Sequence, residues 1–229
     1  MRMNRPVLWL LCCVPILAGG CVDGDGPAFY ISGHVSASED CTYEPGNPFW
    51  LRGAFNVNVG SGYYAVTPLL NNQLRARGSD APLRADPNGV LIEGAEVELT
   101  DAAGAPIPFG LPNPFTVPTS DFVPSATSAE SPGQAVGLVM VIPPAYALSL
   151  YDSLGGAGGD PLARTVVVAN LRVFGETNGG VDVESDWWSW PIDVCRDACL
   201  TACVAVDTTD TATCCTPGQD CVTEVICTP

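Results

Sequence analysis

Seven prolines stand between residues 105 and 133, at Pro106, Pro108, Pro112, Pro114, Pro118, Pro124 and Pro132. Each fixes its φ angle and removes a backbone N–H, which bars the stretch from helix interiors and from central strands. It reads as a long surface excursion with at most one edge strand. The same character runs through the chain, with 24 glycines and 21 prolines among 229 residues and only 15% charged residues. Short strands joined by many turns suit that mixture better than helices. An apolar content of 47% supplies a core and argues against disorder.

Period-two alternation marks the strands. Phe29–Val35 is the first. Residues 50–59 place Leu51, Phe55, Val57 and Val59 on alternate positions; Gly60, Ser61 and Gly62 form a turn, and residues 63–70 resume extended structure, so the pair reads as a hairpin. Residues 90–100 set Ala95, Val97 and Leu99 opposite Glu96 and Glu98, one face dry and the other wet. Residues 137–142 form a buried strand stopped by Pro143 and Pro144, and residues 145–154 suit one short helix. The strongest strand spans 165–174, and after a glycine turn residues 181–194 follow. Seven or eight short strands without β–α alternation indicate an all-β chain, an antiparallel β-sandwich of immunoglobulin-like type, with a barrel as the alternative.

Residues 1–20 differ from the rest. Arg2 and Arg5 precede a twelve-residue apolar run over 7–18, and Gly19 and Gly20 close it. A basic start, an apolar middle too short to span a bilayer and a small-residue exit make an export signal. A cysteine directly after such a segment, here Cys21, resembles the lipid-attachment cysteine of bacterial lipoproteins. The resemblance covers only residues 1 to about 22. It implies cleavage before Cys21, acyl chains such as palmitate on the new amino terminus, and anchoring in the cell envelope. Val22, where inner-membrane lipoproteins carry aspartate, favours the outer membrane. The family places leucine three residues before the cysteine, whereas here Ala18 holds that position and Leu17 precedes it. Ala18, Gly19 and Gly20 also satisfy the small-x-small rule, which leaves a periplasmic or secreted protein as the alternative.

Of eleven cysteines, Cys12 and Cys13 leave with the signal and acylation occupies Cys21. The remaining Cys41, Cys195, Cys199, Cys203, Cys214, Cys215, Cys221 and Cys227 form an even set suited to disulfides in an oxidising compartment. Seven of them crowd the C-terminal segment, so complete pairing requires one to reach Cys41. Cys195, Cys199 and Cys203 are spaced four apart; on a short helix their Cβ atoms would lie about 5–6 Å apart, beyond the ~3.8 Å of a disulfide, so they seek other partners. The spacings match neither the paired Cys-x₂-Cys of zinc sites nor a ferredoxin run. The organisation expected is a signal peptide over 1–20, a lipidated tether over 21–28, a sandwich over 29–194 and a disulfide-rich tail over 195–229 packed on it.

A formal charge of −16 disfavours nucleic acid and anionic headgroups, so membrane association must come from the acyl chains. There is no lysine, which excludes Schiff-base and P-loop lysine chemistry. His34 is the only histidine and lies in a strand; no serine elbow is present, and no catalytic residue is assigned. Asp182, Glu184 and Asp186 alternate along one strand, a pattern suited to calcium, to acid–base glycoside cleavage or simply to a solvated face. Trp188, Trp190, Ile192 and Val194 share the face expected to be core. Trp187 lies on the other, where beside Tyr63 or Tyr64 it would make a platform for sugar rings. The sequence therefore points to a non-enzymatic structural or interaction module of the envelope, with an envelope protein or glycan as partner and no cofactor beyond calcium. The alternatives are a carbohydrate-binding or adhesion module and, less favoured, a glycoside hydrolase.

Intact-mass spectrometry of the mature protein is expected to return residues 21–229 with acyl chains on Cys21 and the other eight cysteines oxidised. Peptide mapping without reductant should join Cys41 to a cysteine of the tail. A free Cys21 thiol overturns anchor and pairing together.

Overall fold

The computed structural model describes residues 27–38, 40–58, 62–76, 86–128, 130–197 and Asp220. The export signal, Cys21 and most of its tether, Val59 to Ser61, and Cys199, Cys203, Cys214, Cys215, Cys221 and Cys227 lie outside the described residues. Within them the chain is mostly β, with twelve strands and one α-helix. No described helix is long and apolar enough to cross a membrane.

The longest strand organises the largest sheet. Residues Arg164–Thr177 form β10, in which Val167, Ala169, Leu171 and Val173 are buried and the residues between them face outward. β6 (Val90–Asp101) runs antiparallel along one side of it, and β12 (Trp188–Cys195) and β11 (Asp182–Glu184) share the other. The dry faces meet in register, Ala169 opposite Leu99 and Trp190, and Leu171 opposite Val97 and Trp188. β-Branched and aromatic side chains at these positions fit a pleated, half-buried surface. Gly175 sits where the β10–β6 register shifts; a Cβ there would lie 2.1 Å from the Leu91 carbonyl oxygen, so only glycine permits the approach.

The proline-rich excursion supplies one edge. β7 (Phe115–Val123) includes Pro118 and pairs only with β6 at the border of the sheet, where a missing N–H is tolerated. Before it, Asn113 acts as a substitute strand: its Nδ2 donates to the Leu99 carbonyl at 2.7 Å and its Oδ1 accepts from the Leu99 N–H at 2.9 Å. The helix α1 (Pro144–Ser153) begins after Pro143, with a proline where the first helical N–H is dispensable. Tyr146 from this helix stacks on Phe115, donates its hydroxyl to the Pro112 carbonyl and so pins the excursion to the core.

A second sheet has the order β2 (Phe49–Trp50), β1 (Phe29–Val35), β5 (Pro68–Asn72) and β8 (Gly133–Val136). β4 (Tyr64–Val66) and β9 (Val139–Ile142) form a two-stranded ribbon. One apolar cluster draws on all three sheets and on α1, from Phe29 and Leu70 through Tyr64 and Val141 to Leu171 and Ile192.

Three expectations require correction. The sheets are not purely antiparallel, because β3 (Gly53–Asn56) runs parallel to β12, with Phe55 beside Val194. The expected hairpin over 50–70 does not form. Its first arm breaks at Leu51 and Arg52, with Leu51 91% exposed, so that β2 joins the four-stranded sheet and β3 the six-stranded one, while β4 pairs with β9. Cys195 ends β12 instead of opening a helix, and its carbonyl accepts the Val57 N–H; the expected helical stretch beyond Asp197 lies outside the described residues.

Replacing Leu171, fully buried on β10, with Ala is expected to cost about 3 kcal/mol in denaturant titrations, the range for a leucine cavity. Leu51→Ala should stay within about 0.5 kcal/mol, as an exposed position does.

Candidate functional site

β10 fixes the geometry of a cleft among the described residues. Glu184 lies opposite Phe174, yet Trp188 lies opposite Leu171, so three residues on one strand face two on the other: a one-residue bulge. Ser185 holds the bulge in place. It is buried, its N–H donates to the Val173 carbonyl at 2.8 Å, its Oγ accepts the Val173 N–H at 3.0 Å, and that same hydroxyl donates to the Asp186 carbonyl at 2.9 Å. With Ser185 spent on β10, Asp186 and Trp187 are displaced outward. Asp186 is exposed and Trp187 is 47% exposed.

Trp187 folds back over the wet face of the sheet. The Arg172 guanidinium carbon lies 5.1 Å from the indole centroid, a cation–π contact that at an exposed site is worth about 0.5–1 kcal/mol. Arg172 is itself fixed between two acids, donating to Glu96 at 2.7 Å and to Glu184 at 3.2 Å. The bond to Glu96 is the largest influence holding its guanidinium above its usual pKa. On the other side the cleft reaches β1. Tyr30 and Ile31 line it with Pro27, Gln73 and Trp188, around a volume of about 330 Å³.

The sequence-derived candidates separate here. Trp187 stands half exposed as a platform would, but its aromatic neighbours in the cleft are Tyr30 and Trp188. Tyr64 is fully buried, which removes it from any surface platform, and Tyr63 does not line the cleft. Asp182 and Glu184 sit on the wet face of β11, Glu184 in the Arg172 pair, while the bulge carries Asp186 away into the cleft. The three acids do not converge, and among the described residues no cluster of three acids, cysteines or histidines can hold a metal ion. Tyr30 escaped sequence reasoning because its strand faces Trp187 only after folding. Cys41 and Cys195 each take part in a disulfide bond.

Tyr64 instead belongs to a polar node in the core. Its hydroxyl donates to the Asp220 Oδ2 at 2.5 Å and accepts the Trp190 Nε1–H at 3.1 Å. Asp220 comes from the cysteine-rich segment. Its Oδ1 accepts the Ala54 N–H at 2.7 Å and its own N–H donates to the Ala54 carbonyl at 3.1 Å. The Thr67 N–H donates to His34 Nδ1, so the proton of the neutral ring sits on Nε2, 3.4 Å from Asp220 Oδ2. Acid, histidine and hydroxyl lie in the order of a catalytic relay. However, His34 and Thr67 are 3% and 4% exposed and the Thr67 hydroxyl donates to the Val35 carbonyl, so the group is a brace closed to substrate. Gly53 makes room for it, since a Cβ there would lie 2.2 Å from the Tyr64 hydroxyl. No protein-family model and no curated protein matches the chain.

Burial, and after it the Asp220 charge and hydrogen bond, push the Tyr64 phenol well above its ordinary pKa of 10.0. A folded-state pKa raised above the unfolded one gives stability that is full below the unfolded value and is lost as pH rises through the folded one. Tyr64→Phe, which strands Asp220 and the Trp190 N–H, should cost about 1–3 kcal/mol at neutral pH. The gap to the parent protein should narrow above pH 10.0, measured by urea titration at a series of alkaline pH values.

Proposed function

We propose that this chain is a lipid-anchored binding module of the bacterial cell envelope, displayed on acyl chains at Cys21 and accepting a carbohydrate ring in the Trp187 cleft. One observation carries the reading: a half-exposed indole clamped over Arg172 at a cleft with two further aromatics. Burying such a ring would be favourable by the area it hides, and a fold that holds it out leaves that free energy to a ligand. Sugar rings offer a flat C–H face for stacking and hydroxyls for neighbours such as Gln73 and Asp186. The indole matches the first need and the rim the second.

The acids support binding over cleavage. Glycoside hydrolysis takes two carboxyl groups flanking the scissile bond, and Asp186 is the one carboxylate among the lining residues. The scaffold for this reading is an immunoglobulin-like sandwich with a tail stapled to it through Cys41, Cys195 and the remaining tail cysteines, exported to the outer membrane. An acidic body that does not adhere to anionic surfaces suits a module that stands off the bilayer on its tether.

Glycan-array screening and calorimetry of the mature protein should find at least one bound oligosaccharide class. Trp187→Ala should weaken it about thirtyfold, the loss of roughly 2 kcal/mol expected of an aromatic anchor, with circular dichroism unchanged. An unaltered array profile for that variant removes the cleft as the binding site.

A further inference from the structure

We infer that the ring accepted by the cleft carries an ammonium group, so that its ligands are amino sugars with a free amine. The inference rests on the carbohydrate reading above and adds the charge of the ligand. Among the described residues Asp186 is the only charged one lining the cleft, it is exposed, and no hydrogen bond or ion pair engages its carboxylate. Arg172 is the cation nearest the indole, but its guanidinium nitrogens donate to Glu96 and Glu184. The cleft therefore presents an uncompensated negative charge beside electron-rich aromatic faces, in a chain of net charge −16.

Three kinds of ring meet that surface differently. A uronic or sialic acid brings a second negative charge to Asp186 and is repelled. A neutral or N-acetylated ring can stack but gains nothing from the carboxylate's charge. A protonated amino sugar gains both an ion pair with Asp186 and attraction to the indole and phenol faces. Exposed ion pairs are individually weak, so the preference for the amine over its acetamide should be about fivefold. Screening should shrink it as salt rises.

The test is calorimetric titration of the mature protein with a glucosamine oligomer and with its fully N-acetylated counterpart, at a pH below the amine's pKa. Tighter binding of the free amine by about fivefold is expected, falling towards parity in high salt and in Asp186→Asn. Equal affinities, or a preference that survives Asp186→Asn, overturn the inference while leaving carbohydrate binding intact. Failure of the folded protein to bind either oligomer or any neutral glycan overturns both.

Discussion

The fourteen-residue strand β10 pairs with β6 over Val167–Thr177 on one side and with β12 over Arg164–Leu171 and then β11 over Phe174–Glu176 on the other, so the alternation of this one strand assigns a face to residues of three others. Val167, Ala169, Leu171 and Val173 point inward, and Ile192 and Trp190 on β12 and Leu99, Val97 and Ala95 on β6, which lie opposite them, are core. Arg172 and Phe174 point outward, opposite Glu96 and Glu184 on the wet face. A ladder of this length tolerates irregularity only by bulging. The bulges at Gly175 and at Ser185 are the two places where β10 and its partners fall out of step, and the second creates the cleft.

The bulge at Ser185 had a trace in the sequence. Asp182 and Glu184 were expected on a wet face, and Trp190, Ile192 and Val194 on a dry one, yet all five positions are even-numbered. In an unbroken strand they would share one face, so an odd insertion between Glu184 and Trp188 was already required. Trp187 stands inside that interval. By contrast, the break at Leu51 and Arg52 left no trace, because alternation over 50–59 continues through it. Two short strands that serve different sheets simply happen to be in phase.

Strands with one buried face and strong β-branching were legible nearly to their ends: Phe29–Val35, Val90–Asp101 and the body of Arg164–Thr177. The helix after Pro143 and the edge position of the proline-rich segment followed from the missing N–H of proline. Long-range pairing was not legible. The parallel contact of β3 with β12 and the ribbon of β4 with β9 join residues far apart in the chain, and local pattern carries no information on which strand is the neighbour. Asp220 was hidden for the same reason: one more acid in an acidic chain, distinguished only by the Tyr64, Ala54 and His34 groups that fold around it.

Cleft and node are connected by a short run of aromatic rings. Trp188 lines the cleft and stacks on Trp190 at 5.5 Å with their planes 16° apart; Trp190 in turn packs edge-on against His34 at 4.9 Å and donates to Tyr64. Close-packed interiors transmit displacement because there is little free volume to absorb it. A satisfied polar node at one end of the stack therefore limits the positions open to Trp188 at the other, and with it the wall against which a ligand ring would lie. The hydrogen bonds of Asp220 join that residue to β3 and β4, and two stacked tryptophans lie between this node and the cleft. Under the proposed reading, preorganisation of this kind would lower the ordering cost of binding.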